Sequence, residues 1–246
     1  MLSRLPEWVK SPLRPVRDQV LNLPYYGTGR WCPVCHRSSR RFREWGNPQR
    51  KDARCVHCGA LERHRFVWLY WKEKTNLFDG RAKKVLHVAP EKWFEHRLKR
   101  CIGDGYITAD LSERAMVGMN ITRIPHPNES MDVIYCSHVL EHVQDDRKAM
   151  SEFHRVLKKD GWAILLVPII AERTWEDRTI IGPQQRLRVF GHKDHVRQYG
   201  PDYLDRLSEA GFEVTVTRVS DLIEEGDAAR MGLTSASGDI YYCTKM

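Results

Sequence analysis

Four cysteines with regular spacing are the residues of this chain best suited to bind a metal. They form two Cys-x-x-Cys pairs, Cys32 with Cys35 and Cys55 with Cys58, separated by 19 residues. Each pair presents two thiols on one tight turn, and two facing turns complete a tetrahedral sulfur site suited to Zn²⁺. Four thiolates leave no coordination position open for catalysis. We therefore predict a structural zinc ribbon, with a pair of disulfides as the alternative.

The segment around these cysteines is basic and contains aromatic residues. Residues 1–80 contain 16 Lys and Arg against seven Asp and Glu, whereas residues 81–246 contain 24 against 25. Phe42 and Trp45 lie among these arginines. Cations beside aromatic rings are typical of nucleic-acid binding, so residues 37–65 are a candidate RNA-binding segment. The alternative is that the rings form a small core and the arginines its solvated face.

Composition predicts a globular protein, with 41% hydrophobic and 29% charged residues. No apolar run approaches the roughly 18 residues of a membrane span. The N-terminal segment is basic but lacks the apolar core of a secretory signal. We therefore expect a cytoplasmic protein without a transmembrane segment.

Residues 132–168 predict a strand, a helix and a second strand. Residues 133–136 form a short apolar run, and the apolar positions that follow recur at helical spacing: Ala149, Phe153, Val156 and Leu157. Residues 158–161 combine cations with a glycine and are expected to end the helix, and residues 162–167 form the second apolar run. A strand–helix–strand unit is typical of a parallel sheet covered by helices.

The run HVLEHVQDDRKAMSEFHRVLKKDGWAILLVP, residues 138–168, resembles class I S-adenosylmethionine-dependent methyltransferases, especially the methyltransferase type 11 group. The resemblance implies an α/β fold with a Rossmann-like sheet, mostly parallel with an antiparallel final strand. It also implies S-adenosylmethionine as methyl donor. We accordingly divide the chain into an N-terminal arm (1–30), a zinc ribbon with a connecting helix (31–80) and a methyltransferase domain (81–246).

The predicted donor loop follows strand 84–88 and departs from the family pattern. The family usually has an acidic residue and then a glycine-rich turn at this place. Here His87 stands in place of the acid, and Ala89, Pro90 and Glu91 occupy the turn. Ala89 is small enough to allow close approach of the donor. Glu91 is expected either to contact the donor's ammonium group or the substrate, or to cap the next helix, whose N-terminus favours anions.

Two further positions are predicted to contact the donor nucleoside. Asp110 follows strand 106–109, and its carboxylate can accept hydrogen bonds from both ribose hydroxyls, with Leu111 beside it. The alternative is that Asp110 caps a following helix. Asn120 aligns with a family position that often meets the adenine amino group, and apolar Ile121 would help to enclose the ring.

The resemblance places the reacting groups near two later segments. Cys136 and His138, at the end of strand 133–136, are expected to face the sulfonium. Residues 168–191 are a candidate acceptor loop, and a family histidine motif follows them. We predict His195 as general base, with His192 second, because histidine accepts a proton near neutral pH. The alternative for His195 is a structural hydrogen bond.

The sequence as a whole predicts a methyltransferase that acts on a small-molecule or glycan acceptor. One alternative is an RNA methyltransferase that uses the basic ribbon to hold phosphate. The other is a non-catalytic, zinc-binding interaction protein whose methyltransferase-like fold has lost donor binding, as the altered loop permits.

Overall fold

The structure is a computed structural model and describes residues 23–112 and 115–246. The strands of the described residues are β1 (Arg30–Cys32), β2 (Arg37–Ser39), β3 (Arg43–Trp45), β4 (Arg50–Arg54), β5 (Val85–Val88), β6 (Tyr106–Asp110), β7 (Val117–Gly118), β8 (Met131–Ser137), β9 (Leu157–Leu166), β10 (Trp175–Glu176), β11 (Arg197–Gln198), β12 (Phe212–Thr217) and β13 (Ile240–Lys245). The α-helices are α1 (Glu62–Lys74), α2 (Lys92–Ile102), α3 (Asp146–Val156), α4 (Pro183–Phe190), α5 (Tyr203–Glu209), α6 (Val219–Leu222) and α7 (Glu225–Arg230). No helix among them is both long and apolar enough to cross a membrane.

The chain divides into two compact units. The described part of the first contains residues 23–69 together with Ile223–Ser237, and the second contains Tyr70–Leu222 together with Gly238–Met246. The division falls inside α1, and residues 223–237 join the N-terminal unit. Most of the predicted N-terminal arm (1–30) lies outside the described residues; of its remainder, Leu23–Tyr25 forms a 3₁₀ turn.

The first unit is built from two short antiparallel hairpins. Strand β1 pairs with β2, and β3 pairs with β4. The first cysteine pair lies at the turn between β1 and β2, and the second follows β4. The hairpin topology therefore brings two Cys-x-x-Cys turns into one small unit.

The second unit contains a seven-stranded sheet in the order β12-β13-β9-β8-β5-β6-β7. Strand β13 is antiparallel to both its neighbours, and the pairs from β9 to β7 are parallel. This arrangement confirms the predicted Rossmann-like sheet with an antiparallel final strand. From β5 the chain builds outwards on one side to β6 and on the other to β8, so the sheet has a switch point between β5 and β8. Ligands of open α/β sheets bind at the carboxyl ends of the strands at such a point.

The buried residues of β5 and α3 account for the positions of these elements in the fold. All four residues of β5 are buried, as expected for a central parallel strand covered on both faces. Asp145 is the N-cap residue of helix α3, and its side chain accepts a hydrogen bond from the Lys148 amide at 3.0 Å. Its inward positions are fully buried: Ala149, Met150, Phe153 and Val156.

The predicted helix end at residues 158–161 is wrong, because β9 begins at Leu157. Leu157 pairs with Met131, and the Lys158 ammonium lies 2.6 Å from Asp132 Oδ1. A register irregularity between Met131 and Val133 accommodates the extra residues of β9. The cation and the glycine thus lie within an irregular strand instead of a helix cap.

Candidate donor-binding edge and histidine cluster

The turn after β5 has the backbone conformation of a glycine although no glycine is present. Ala89 has φ of 49°, in the left-handed region that side chains other than glycine rarely adopt. Its N–H donates to the carbonyl of Ala109, at the end of β6, over 2.7 Å. The next residue, Pro90, is partly exposed. Ala89 therefore forms a sharp turn of the kind that glycine favours, with only a methyl group as its side chain.

The two ionisable residues of this loop bind each other. His87 is fully buried, and its Nε2 lies 2.7 Å from Glu91 Oε2. Its Nδ1 lies 2.7 Å from the Tyr106 hydroxyl, and the Tyr135 hydroxyl donates to Glu91 Oε1 at 3.3 Å. Burial raises the pKa of Tyr106, with the nearby carboxylates adding to the rise.

These hydrogen bonds determine where the Glu91 carboxylate points. Glu91 occupies the N-cap position of α2, as one of its two predicted roles requires, but its side chain makes no capping hydrogen bond. Its carboxylate is directed instead to His87 and Tyr135. The Glu91 carboxylate thus lies next to the His87 imidazole, four residues after it in the chain.

Asp110 and Leu111 lie at the same carboxyl edge, on the strand next to β5. Asp110 Oδ1 accepts a hydrogen bond from the Ser112 amide at 2.8 Å, which fixes the carboxylate in a turn. The described residues on either side of 113–114 contain no helix for Asp110 to cap. Leu111 is 81% exposed and Met116 59% exposed. An oriented carboxylate beside exposed apolar side chains suits a nucleoside, whose sugar is polar and whose base is flat.

Asn120 and Ile121 follow on the chain with different surroundings. Asn120 is exposed, and its Oδ1 accepts from both the amide and the hydroxyl of Thr122 at 2.9 Å. Ile121 is buried. Asn120 Oδ1, which is predicted to accept a hydrogen bond from the adenine amino group, therefore already accepts two hydrogen bonds within a local turn. A hydrogen bond from adenine would have to be added to these two or replace one of them.

Cys136 and His138, at the end of β8, were both predicted to face the sulfonium, but they differ in exposure. Cys136 is fully buried, and burial raises the pKa of its thiol, so its side chain does not face an open site. This corrects the expectation that it faces the sulfonium. His138 is partly exposed with φ of 55°, and its N–H donates to the Leu166 carbonyl at 2.8 Å. Between them, Ser137 is buried, and its hydroxyl has no hydrogen-bond partner among the described residues.

Glu141 adds a buried charge beside this strand end. Its side chain is almost inaccessible, and Oε1 lies 3.4 Å from His138 Nδ1. Burial acts to raise the pKa of Glu141, but the hydrogen bond and charge of His138 outweigh it, so the pKa is lowered. The second oxygen, Oε2, is buried without a hydrogen-bond partner in the described part of the chain.

The two predicted catalytic histidines lie together, with a third that the sequence did not assign to them. His142 directly follows Glu141, and ligand atoms of His142, His192 and His195 all lie within 4.8 Å of one another. Burial, with the neighbouring His142, lowers the pKa of His195 to about 4. His195 is therefore neutral at pH 7, and it accepts a proton less readily than an ordinary histidine.

Arg197, two residues after His195, is buried. Its guanidinium donates to the carbonyls of Leu140 and Gln144 at 2.7 and 3.0 Å. It also forms an ion pair with Glu176 at 2.8 Å. Arg197 thus ties β10, β11 and the segment after β8 together and fixes the loop that carries His195. Sequence reasoning missed this network because its members are spread along the chain.

The four cysteines converge in the first unit as predicted. The sulfur atoms of Cys32 and Cys58 are 3.7 Å apart, and those of Cys35 and Cys55 are 3.8 Å apart. All four sulfurs lie within 4.8 Å of one another. These separations are too long for disulfides, whose S–S bond is about 2.05 Å, and they suit four ligands around one ion.

The candidate RNA-binding segment is partly structural. His64 and Arg65 are fully buried, and Arg65 donates to the carbonyls of Ala53, Ala60 and Gly232 at 2.9 Å. Phe42 is buried as well. Residues 64–65 and Phe42 therefore cannot contact RNA. The candidate RNA-binding surface is limited to exposed residues of the β1–β2 and β3–β4 hairpins.

The exposed part of that surface keeps one ring and several cations. Trp45 is 46% exposed, with the Arg54 guanidinium 4.3 Å from its ring centroid. The first unit also contains an open cavity of about 510 Å³, lined by Tyr25, Arg41, Phe42, Arg43, Glu44, Lys51 and Asp52.

Comparison with known proteins finds similarity to methyltransferases. A 43-residue stretch is 44% identical to an uncharacterized methyltransferase, YcgJ, of Bacillus subtilis, covering 18% of this chain and 17% of that protein. The crystal structure of YcgJ is 14% identical, with a TM-score of 0.40 over 69% of this chain and 92% of that one. An S-adenosylmethionine-dependent methyltransferase from Mesorhizobium loti is 16% identical, with a TM-score of 0.49 over 71% and 97%. Residues 96–165, from α2 to β9, match the family described as a methyltransferase domain, and this match supports S-adenosylmethionine-dependent methylation in general.

Proposed function

We propose that the second unit binds S-adenosylmethionine and transfers its methyl group to a small-molecule or glycan acceptor. The observation that carries the proposal is the left-handed turn at Ala89, next to Asp110, at the switch point of the sheet. Such a turn lets a ligand approach the backbone closely, and the carboxylate beside it is suited to ribose hydroxyls.

The residues of this edge fit such a donor in three respects. Asp110 would accept hydrogen bonds from the ribose, and the exposed side chain of Leu111 would be covered by the adenine. Ser137 Oγ and Glu141 Oε2 are buried polar atoms that lack partners among the described residues, and a bound polar ligand would satisfy them. His87, Ala89, Pro90 and Glu91 form the turn itself, with the Glu91 carboxylate serving to fix it.

The donor supplies an activated methyl group on a sulfonium. The protein's part is to hold the acceptor atom in line with that group and to exclude water. In our proposal His138, partly exposed at the end of β8, and the loop that Arg197 fixes line the acceptor side. His195 and His192 lie on that loop, where a neutral imidazole can take a proton from the acceptor; the lowered pKa of His195 makes it a weaker base than an ordinary histidine.

The acceptor class is inferred from the segment between β9 and β11. Four large apolar side chains are exposed there: Ile170, Trp175, Ile181 and Leu187. Exposed aliphatic and indole faces suit the apolar surface of a small molecule or the face of a sugar ring.

Release of S-adenosylhomocysteine from S-adenosylmethionine tests the acceptor. We expect release with metabolite or glycan pools and no stimulation by RNA. Trp175→Ala should reduce the rate with the active pool, whereas Met246→Ala, also an exposed apolar residue, should not. Stimulation by RNA alone would contradict the small-molecule or glycan acceptor.

We further propose that the first unit holds one structural Zn²⁺ on Cys32, Cys35, Cys55 and Cys58. The close approach of four sulfurs supports this, because four thiols at such distances repel one another when ionised unless a cation binds them. The ion would complete the hairpin unit, whose strands are too short for stability of their own.

The cavity in the first unit supports a second candidate, an RNA methyltransferase. Three of its lining residues are cations, against Glu44 and Asp52. If RNA binds there, affinity should fall steeply with salt, because phosphate contacts release counterions. Replacing Arg41 and Lys51 by alanine should then reduce the dependence of RNA affinity on salt concentration. If RNA binds only weakly and these replacements do not change its affinity, the RNA methyltransferase candidate is ruled out.

A further inference from the structure

His142, His192 and His195 form a compact cluster at the loop end of the second unit. The ring centroids of His142 and His195 are 4.6 Å apart, those of His192 and His195 are 4.7 Å apart, and those of His142 and His192 are 5.5 Å apart. A ligating nitrogen from each ring lies within 4.8 Å of the other two. Neighbouring imidazolium rings would repel one another, so a cluster this tight favours neutral rings or a shared cation.

The hydrogen bonds around the cluster resemble those of metal-binding histidines. His142 Nδ1 lies 3.2 Å from the Asp194 carbonyl, and an N–H there would leave Nε2 unprotonated. Metal-ligating histidines commonly donate their second ring nitrogen to a carbonyl in this way. The Nδ1 atom of His195 is buried and has no hydrogen-bond partner in the described part of the chain. A buried polar atom without a partner needs a ligand that the protein itself does not provide.

The charge next to the cluster also suits a cation. The Glu141 side chain is almost inaccessible, immediately precedes His142, and has one oxygen without a partner among the described residues. Its charge acts on both His142 and His195. The Asp194 carboxylate lies 4.0 Å from His192 Nδ1. Two carboxylates near three imidazoles would offset much of the charge of a divalent ion.

We propose that these three histidines bind one divalent first-row ion of the zinc class. Imidazole suits Zn²⁺ and Co²⁺, and Zn–N bonds are about 2.0–2.1 Å long. The nitrogens would therefore have to move closer together than 4.8 Å. His142 and His192 are exposed, so rotation of their side chains can supply this movement. His192 would exchange its present bond with the Asp194 amide for the metal.

Three protein ligands leave a fourth position open, as in catalytic zinc sites and unlike the four-cysteine cluster. Because two of the three histidines face solvent, that position would take a water molecule or an oxygen of an incoming molecule. A hydroxyl bound there would lose its proton more easily. This last role rests on the proposed methyl transfer, whereas the binding of the ion does not.

Cobalt chloride titration of the full chain, already loaded with zinc at the cysteines, tests the proposal. We expect one further Co²⁺ to bind with visible d–d absorption and without the near-ultraviolet band of thiolate-bound cobalt. The exposed variant His142→Ala should weaken this binding by more than the ~10–100-fold that loss of an outer-shell partner costs. His195→Ala should abolish it.

The matched control is His96→Ala, which removes an exposed histidine from α2 and should leave cobalt binding unchanged. Circular dichroism verifies that each variant is folded. Cobalt binding that persists unchanged in folded His142→Ala protein would overturn the proposal, as would a spectrum with only thiolate bands. Binding of S-adenosylhomocysteine is measured separately, so failure of this site and failure of the donor site are distinguishable.

Discussion

His87 Nε2 and Glu91 Oε2 lie 2.7 Å apart at the start of the candidate donor site, with the imidazole fully buried. The histidine is the penultimate residue of buried β5, and the glutamate is the N-cap residue of α2, so their contact spans the turn at Ala89. The pair fixes that turn from both sides. A loop without glycine is thereby held in a conformation that glycine usually provides.

Removing this carboxylate should destabilise the second unit. In Glu91→Ala the buried His87 ring and the Tyr135 hydroxyl lose an acceptor, and an unsatisfied buried polar group costs about 1–3 kcal/mol. Urea unfolding measures the change in free energy of unfolding. The control Glu213→Ala, at an exposed strand position, should stay within about 0.5 kcal/mol of the native protein. Equal stability of Glu91→Ala and the native chain would contradict the role assigned to the pair.

The left-handed turn at Ala89 predicts opposite effects for two substitutions. Ala89→Gly removes the strain of a side chain at positive φ and should leave S-adenosylhomocysteine affinity nearly unchanged. Ala89→Val places a branched side chain in the same conformation, and strain of this kind costs about 1–3 kcal/mol. Thermal unfolding and calorimetry would show lower stability and weaker binding for the valine variant. Normal binding in stable Ala89→Val protein would contradict close approach of the donor to this turn.

In the candidate donor site, features set by neighbouring residues could be predicted from the sequence, whereas contacts between residues far apart in the chain could not. The strand holding His87 and the acid at Asp110 are evident from local pattern. The contacts of His87 with Tyr106 and Tyr135 depend on the register of β5 against its two neighbours, which no local pattern encodes. His142 likewise meets His195 only because the loop after β9 folds back. The sequence therefore predicts the elements and several site residues, but not which buried polar groups pair.

A similar limit applies to charge patterning in the first unit. Arg65 resembles a phosphate-binding cation in the sequence, since it lies in a basic, aromatic segment. In the structure it is fully buried and donates to backbone carbonyls, including Gly232, 167 residues away along the chain. Hydrogen bonds from a side chain to carbonyl groups far away in the sequence leave no local pattern. The local pattern around Arg65 therefore predicts a nucleic-acid-binding surface instead of a buried structural residue.

Removal of zinc should unfold the first unit. Structural zinc contributes about 10 kcal/mol or more to small zinc domains, so a chelator should abolish the hairpins' circular dichroism and tryptophan signals. Cys35→Ser should lower the zinc content of purified protein by one ion per chain, whereas Cys101→Ser, at an exposed free thiol, should keep the zinc content of the native chain. Full zinc content in Cys35→Ser would contradict the four-cysteine site.

The loop that carries Asn120 and Ile121 should loosen in acid. The Glu152 carboxylate accepts hydrogen bonds from the Ile124 amide at 2.7 Å and from Arg155, and the Arg155 hydrogen bond lowers the pKa of Glu152. A lowered folded-state pKa contributes stability above the unfolded value of 4.5, and this is lost as pH falls through the folded value.

Hydrogen exchange of the Ile124 amide across this acidic range measures the effect. Exchange should speed up as pH falls below about 4.5 in the native protein, after correction for intrinsic rates. In Glu152→Gln, which cannot ionise, that acceleration should be absent and exchange should be fast throughout. A pH dependence that survives in the glutamine variant would show that another group controls the loop.

The central claim is that this edge of the sheet binds the methyl donor, and calorimetric titration with S-adenosylhomocysteine tests it most directly. We predict saturable binding to zinc-loaded protein and a loss of about 10–100-fold in affinity in Asp110→Ala, since hydrogen bonds to a charged group contribute about 1.5–3 kcal/mol. Asp104→Ala, at an exposed aspartate of the turn before β6, should bind like the native chain. No detectable binding to the folded native protein, or equal binding by Asp110→Ala, would contradict the account.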